Sequence, residues 1–187
     1  MHCNLASVDA CDESENDYYQ DYKEMDSFTQ YDSLIENFTG SETMNLLGIA
    51  RGVPKDQINN ISENLAIQLN FCDSLDRKII EYNKVNKRKL IIALALYDNT
   101  SVVYLDESIT KMDLISRRYA FNTVCNARNN GSIVVLNSSY VEDCELLCTR
   151  IAFMVNGKLL CIGSPQHLIN KISQGITIVI KAFNKLQ

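Results

Sequence analysis

Two unbroken apolar segments in the middle of the chain constrain its fold more than any other feature. The first is "VVYL" at residues 102–105, and the second lies within "SIVVLNSS" at residues 132–139. A strand that is apolar throughout is typical of a parallel sheet, because helices cover both faces of such a sheet. The segment between them, "DLISRRYAFNTVCNARNNG", is predicted to be a helix that ends at Asn130-Gly131. Strand, helix and strand in this order predict a right-handed parallel crossover, and therefore an α/β fold.

The segments on either side add helices and a late antiparallel pair of strands. Apolar residues at three- and four-residue steps predict a helix in "DQINNISENLAIQLNF", with Pro54 near its start, and a second helix in "NKRKLIIALALYDN". Asn156-Gly157 between two β-rich runs predicts a hairpin. Further helices are predicted near "VEDCELLCTR" and in "SPQHLINKI", where Ser164 is the expected N-cap. "ITIVIKAF" is predicted to be a final strand.

Charge divides the chain into an acidic lead and a mildly basic body. Residues 1–43 carry eleven acidic side chains and one basic one, whereas the remainder carries twelve acidic and seventeen basic. Residues 1–26 have few aliphatic side chains, so we expect this lead to be disordered or loosely attached. We expect no nucleic-acid partner for the chain.

The cysteines argue against a disulfide-bonded protein, and the apolar stretches argue against a chain that itself spans a membrane. Seven cysteines with no CxxC pair indicate a reducing compartment and no disulfide partner. Cys144 and Cys148 are four residues apart, which favours a shared buried helix face over a metal site. The longest apolar run, Leu90 to Leu96, is far below the ~20 residues that cross a bilayer.

Two adjacent acids, Asp106 and Glu107, follow the first apolar strand in "VVYLDES". This stretch resembles the Walker B motif of ATP-binding-cassette (ABC) transporters, and other segments match the same family in order. "QYDSLIENFTGSETM" resembles the Q-loop segment, "YNKVNKRKL" the signature, "ITKMD" the D-loop and "VVLNSSYVEDCELLCTR" the switch region. Together, residues 27–183 resemble the second half of an A-subfamily nucleotide-binding domain, whose relatives move lipids; residues 184–187 form a tail.

The resemblance implies a partial P-loop NTPase domain, with a parallel sheet core, a helical signature subdomain and late antiparallel strands. It also implies ATP and Mg²⁺ as cofactors. Asp106 would support the metal, and Glu107 would polarise the attacking water. The remaining positions are Gln30 in the Q-loop, Asn83, Lys84, Val85 and Asn86 in the signature, Asp113 in the D-loop, and Ser139 at the switch histidine.

Three departures from the family pattern predict impaired ATP hydrolysis. No GxxxxGK[ST] segment, whose backbone N–H groups surround the phosphates, occurs in the 187 residues. Asn83, Lys84 and Val85 replace Ser-Gly-Gly, and a β-branched valine is poorly suited to a position that uses glycine. Ser139 cannot titrate near neutrality as a histidine does. We expect weak or no binding of ATP by this chain alone.

Three functional hypotheses remain open at this point. The chain is a degenerate ABC-derived module that docks onto another nucleotide-binding domain or the membrane part of a transporter. Alternatively, an upstream segment supplies the phosphate loop of a full transporter. The third possibility is a non-catalytic interaction or regulatory module, or a remnant reading frame. As part of a transporter it would lie at the cytoplasmic face of a membrane, and otherwise in the cytoplasm.

Overall fold

A six-stranded mixed sheet with helices forms the body of the protein in the computed structural model. The structure describes residues 4–6, 25–28, 34–97, 101–109 and 112–172. The strands are β1 (Asn4–Ala6), β2 (Met25–Phe28), β3 (Val102–Asp106), β4 (Ile133–Ser138), β5 (Ile151–Val155) and β6 (Lys158–Gly163). The helices are α1 (Gly40–Ala50), α2 (Lys55–Gln68), α3 (Lys84–Ala95), α4 (Leu114–Asn129), α5 (Val141–Leu147) and α6 (Pro165–Ile172).

The strand order β2-β3-β4-β1-β5-β6 combines a parallel half with an antiparallel half. β3 and β4 run parallel, as the two apolar segments predict, and Asp106 pairs with Asn137 at the end of their ladder. β2, which was not predicted, also runs parallel to β3. β5 and β6 form the predicted hairpin. Asn156 and Gly157 have φ angles of 50° and 73°, which the turn between right-twisted strands requires. The α/β fold with late antiparallel strands is therefore confirmed.

The lead departs from its prediction of disorder at two places. β1 pairs antiparallel with both β4 and β5, and β2 begins at Met25, inside the same stretch. Backbone pairing depends on the edges that neighbouring strands offer, which the composition of the lead does not reveal. Residues 1–3 and 7–24, the predicted strand "ITIVIKAF" and the tail lie outside the described residues.

Helix α3 occupies the centre of the core. Its residues from Lys89 to Ala95 are all buried, and it contacts β2, β3 and the helices α1, α2 and α4. A helix that is apolar on all sides is stable only when other elements surround it. The predicted helices around it are confirmed, with Pro54 as the N-cap of α2 and Asn130 as the C-cap of α4.

Candidate functional site

The carboxyl ends of β3 and β4 bring the predicted acids and the predicted switch position together. Because the two strands are parallel and in register at Asp106 and Asn137, the residues that follow them leave the sheet at the same edge. Glu107 and Ser139 meet there: the backbone N–H of Ser139 donates a hydrogen bond to the Glu107 Oε1 at 3.0 Å. The contact joins the positions that the sequence assigns to Walker B and the switch.

Asp106 is half-buried and already has a protein partner. The side-chain amide of Asn137 donates from Nδ2 to Asp106 Oδ1 at 2.7 Å. The Ser108 hydroxyl donates to the backbone oxygen of Asp106 at 3.2 Å. The sequence did not predict a role for Asn137, because nothing in the pattern "VVLNSS" indicates that its side chain lies next to an acid.

Glu107 adopts a backbone conformation that is rare for a side chain of its kind. Its φ is +50°, in the left-handed region, where a residue other than glycine costs about 1 kcal/mol or more. Its N–H donates to the carbonyl oxygen of Asn137 at 2.9 Å, which continues the pairing one residue beyond the strand. This turn aims the carboxylate towards Ser139.

The four signature positions form the beginning of α3. Asn83 is the N-cap, and its Oδ1 accepts a hydrogen bond from the Asn86 N–H at 2.7 Å. The Asn86 side chain donates in turn to the Ser74 hydroxyl at 2.7 Å. Lys84 and Val85 are the first two helical residues, and Lys84 is exposed. The N–H of Asn86, which could otherwise face a phosphate, is thus already bonded to the N-cap side chain of Asn83.

The D-loop aspartate also serves as a cap. Asp113 is the exposed N-cap residue of α4, and its Oδ2 accepts a hydrogen bond from the Ser116 N–H at 3.0 Å. The hydrogen bonds from Ser116 hold the pKa of Asp113 below its usual range, and the charge of Lys89 acts in the same direction. Gln30, the Q-loop position, lies outside the described residues.

An ion pair that sequence reasoning missed ties the helix after the D-loop to the helix after the switch position. Arg117 on α4 contacts the Asp143 carboxylate on α5, and Asp143 is 2% exposed. The Arg117 guanidinium also lies over the Phe121 ring, 5.3 Å from its centroid. "VEDCELL" holds three acids, and nothing in the sequence distinguishes the one that is buried or identifies its partner.

The cysteine pair lies in the core. Cys144 and Cys148 are both buried, as predicted, but only Cys144 lies in a helix, because α5 ends at Leu147 and Cys148 is its C-cap. A hydrogen bond with Cys148, with burial as the second cause, raises the pKa of the Cys144 thiol, so this thiol stays protonated and inert near neutral pH. Over the described residues, no three His, Cys, Asp or Glu side chains lie close enough to share a metal ion. Within the same part of the chain, none of the helices combines the length and apolarity needed to span a bilayer.

Comparison with known proteins places these motifs among lipid-transporter sequences. The chain is 39% identical over 152 residues to phospholipid-transporting ATPase ABCA3 of Mus musculus. The aligned region covers 81% of this chain and 9% of that protein. It is 40% identical over 152 residues to phospholipid-transporting ATPase ABCA7 of Homo sapiens, covering 81% of this chain and 7% of the relative. ATP-binding cassette sub-family A member 17 of Rattus norvegicus is 35% identical over 158 residues, covering 84% and 9%.

A solved structure, that of an ATP binding subunit of an ABC transporter, shares the fold. It superposes with a TM-score of 0.68 at 17% identity and covers 74% of this chain and 58% of that one. No family model matches the chain. The chain spans less than a tenth of the length of the curated relatives described above.

Proposed function

This chain is a homologue of the A-subfamily ABC transporters, and from that premise we propose that it is an ABC-type ATP-binding domain fragment impaired in hydrolysis by itself. The observation that carries the proposal is the meeting of Glu107 with Ser139 at one sheet edge. The acid is present in the sequence and lies beside Ser139, and a serine cannot share a proton with a phosphate near neutral pH as a histidine can.

ATP and Mg²⁺ fit this chain poorly when it is alone. The acids Asp106 and Glu107 each accept a hydrogen bond from a protein donor, and the Asn86 N–H at the signature helix is capped by Asn83. The sequence offers no glycine-rich loop with a lysine to surround the phosphates. When bound in related domains, Mg²⁺·ATP supplies the phosphoryl group and neutralises its charge. On this chain the position that the resemblance assigns to the metal is Asp106, whose Oδ1 already accepts a hydrogen bond from the Asn137 amide.

Turnover measurements on the purified chain test the catalytic half of the proposal. We expect phosphate release to be no faster for the wild type than for Glu107→Gln, and calorimetry to detect no tight binding of ATP. Brisk hydrolysis that disappears in Glu107→Gln would contradict the proposal, because it would show that the acid works without a phosphate loop in the same chain.

The partner that we propose is another ABC nucleotide-binding domain, at the cytoplasmic face of a membrane that holds a lipid transporter. In such a pair the start of α3 would face nucleotide bound to the other domain, where a positive residue favours phosphate. Lys84 and Lys55 offer a matched test, because each is the exposed first residue of a helix.

Sedimentation of the chain with a purified A-subfamily nucleotide-binding domain, with and without ATP, tests the partner. We expect Lys84→Glu to weaken the ATP-dependent association about tenfold, which is about 1.4 kcal/mol. Lys55→Glu is expected to leave it unchanged. Equal effects of the two substitutions would show that only net charge matters and would contradict docking through the signature.

A non-catalytic interaction module is the second candidate, and exposed apolar side chains favour it. Leu114 and Ile115, at the beginning of α4, are 83% and 68% exposed. Large apolar residues that remain in water are typical of surfaces that bind another protein. A partner that binds equally well with and without ATP, and that is unaffected by Lys84→Glu, would favour this candidate.

A further inference from the structure

The acid pair at the end of β3 is held by a closed set of hydrogen bonds to the end of β4. Asn137 donates its amide to Asp106, Ser139 donates its N–H to Glu107, and the Glu107 N–H returns a bond to the Asn137 carbonyl. The three distances are 2.7, 3.0 and 2.9 Å, all within the normal range of strong hydrogen bonds. One oxygen of each carboxylate is therefore bonded to a residue in β4 or directly after it.

The Asn137 amide turns its NH₂ group, and not its carbonyl oxygen, towards Asp106. An NH₂ group donates and has no lone pair to offer a cation, and its positive end repels Mg²⁺. Turning the amide over would bring two oxygens together, so the contact with a carboxylate has one favourable orientation. Mg²⁺ is usually held by one or two carboxylates together with waters and phosphate oxygens. Here one oxygen of each carboxylate already accepts a hydrogen bond from a protein donor.

We propose that Asp106 and Glu107 form a clamp that joins β3 to β4 and excludes Mg²⁺, with Asn137 as the residue that closes it. The inference rests on the proposed function in that it concerns the same two acids, and it gives a physical reason for impaired hydrolysis. The inference makes a separate prediction about the stability of the chain without nucleotide. Acids arranged for a metal repel each other when the metal is absent, so removing one of them would stabilise the fold. Acids that form a clamp stabilise the fold, so removing one of them would destabilise it.

A double-mutant cycle on the 187-residue chain in chelator measures the clamp. We expect Asn137→Ala and Asp106→Ala each to raise the unfolding equilibrium constant, and the pair to be coupled by about tenfold, as for a hydrogen bond to a charged group that is partly exposed to water. Glu107→Gln should likewise destabilise the chain, whereas Glu63→Gln, an exposed acid on α2, should change the constant less than about twofold. An increase in stability for Asn137→Ala or Glu107→Gln would overturn the clamp.

The metal arm uses Mg²⁺ and Mn²⁺ without nucleotide. Wild type should show no saturable Mn²⁺ binding and no rise in Tm at millimolar Mg²⁺. Asn137→Asp replaces the donor by a third carboxylate, so it should be less stable than wild type in chelator and regain stability when Mg²⁺ is added. Saturable Mn²⁺ binding to wild type would overturn the inference even if the alanine variants failed to fold. That result would leave the proposed function standing, because the docking test with Lys84→Glu does not depend on it.

Discussion

Gly40, the first residue of α1, lies against the hydroxyl of the buried Tyr82. A Cβ added at position 40 would stand 2.4 Å from the Tyr82 Oη and 3.1 Å from the Leu75 backbone oxygen. The first distance is shorter than a carbon atom tolerates and the second is tight, so Gly40→Ala is expected to lower the free energy of unfolding by about 1–3 kcal/mol. Urea unfolding of the single variant and of Gly40→Ala with Tyr82→Phe checks this. The second substitution removes the hydroxyl and should restore part of the loss; no restoration would assign the clash to Leu75 instead.

The Tyr82 hydroxyl also sets a limit on stability at high pH. Burial raises the pKa of Tyr82 from 10.0 to about 12, with the charge of Asp76 as a smaller contribution in the same direction. Between these values the unfolded chain has lost the proton and the folded chain keeps it, so stability falls as pH rises from 10 to 12. Comparing the urea midpoints of wild type and Tyr82→Phe across this range isolates the effect. The phenylalanine variant should lose less stability over that interval, and parallel curves would contradict the assignment.

At the residue scale, the sequence predicts which positions share an edge better than it predicts their partners. Glu107 and Ser139 could be expected to meet, because both follow strands that a parallel sheet ends at the same side. The hydrogen bond from the Asn137 amide to Asp106 could not be expected, because it depends on the register that sets Asn137 opposite Asp106. Pairing register follows from the packing of whole strands, and no local pattern encodes it.

At the scale of elements, an ion pair joins α4 to α5. Arg117 has a side chain that is 29% exposed, whereas the Asp143 carboxylate is 2% exposed. Removing Arg117 leaves a buried charge, and removing Asp143 leaves a charge that reaches water, so the first loss should be larger. We expect Arg117→Met to cost about 3–5 kcal/mol and Asp143→Asn about 1–2 kcal/mol.

Chemical denaturation of both variants, with Arg118→Met as the control, measures this difference. Arg118 is the next residue on α4 and is exposed, so its substitution is expected to change the free energy of unfolding by less than about 0.5 kcal/mol. If Arg117→Met and Arg118→Met had the same effect, the pair would not stabilise the contact between the two helices. The opposite order of Arg117→Met and Asp143→Asn would contradict the burial argument.

Elements with a strong local signal could be predicted from the sequence, and α1 shows why others could not. α3, α4 and the β5–β6 hairpin follow from apolar periodicity and from Asn-Gly turns. α1 has a capping box, in which Thr39 and Glu42 each bond the other's backbone N–H, but its apolar face is short and the segment was assigned only to the Q-loop region. β1 depends on two distant strands and has no signal of its own.

At the scale of the whole molecule, the antiparallel half of the sheet is where sequence reasoning was least complete. The pairing of β3 with β4 follows from segments that are neighbours in sequence, with one helix between them, whereas β2 in the parallel half comes from a distant part of the chain. The join between the two halves is β1, which comes from the far end of the chain and lies between β4 and β5. Contacts of such large sequence separation are fixed by the global fold, so motifs and periodicity do not reveal them.

Exposed apolar residues on α4 lead to a prediction about the isolated chain. Leu114 and Ile115 occupy the first turn of α4 next to Tyr119, which is 38% exposed. Burying such side chains against a second copy is favourable by about 25 cal/mol per Å² of apolar surface, so we expect association that increases with concentration.

The double variant Leu114→Gln, Ile115→Gln should increase the monomer fraction in sedimentation velocity. It should leave the unfolding midpoint nearly unchanged, because these side chains contribute little to the core. Ile67→Gln on α2, where the isoleucine is 62% exposed, is the control. An equal gain of monomer from Ile67→Gln would show that general surface polarity, and not the α4 face, sets the association.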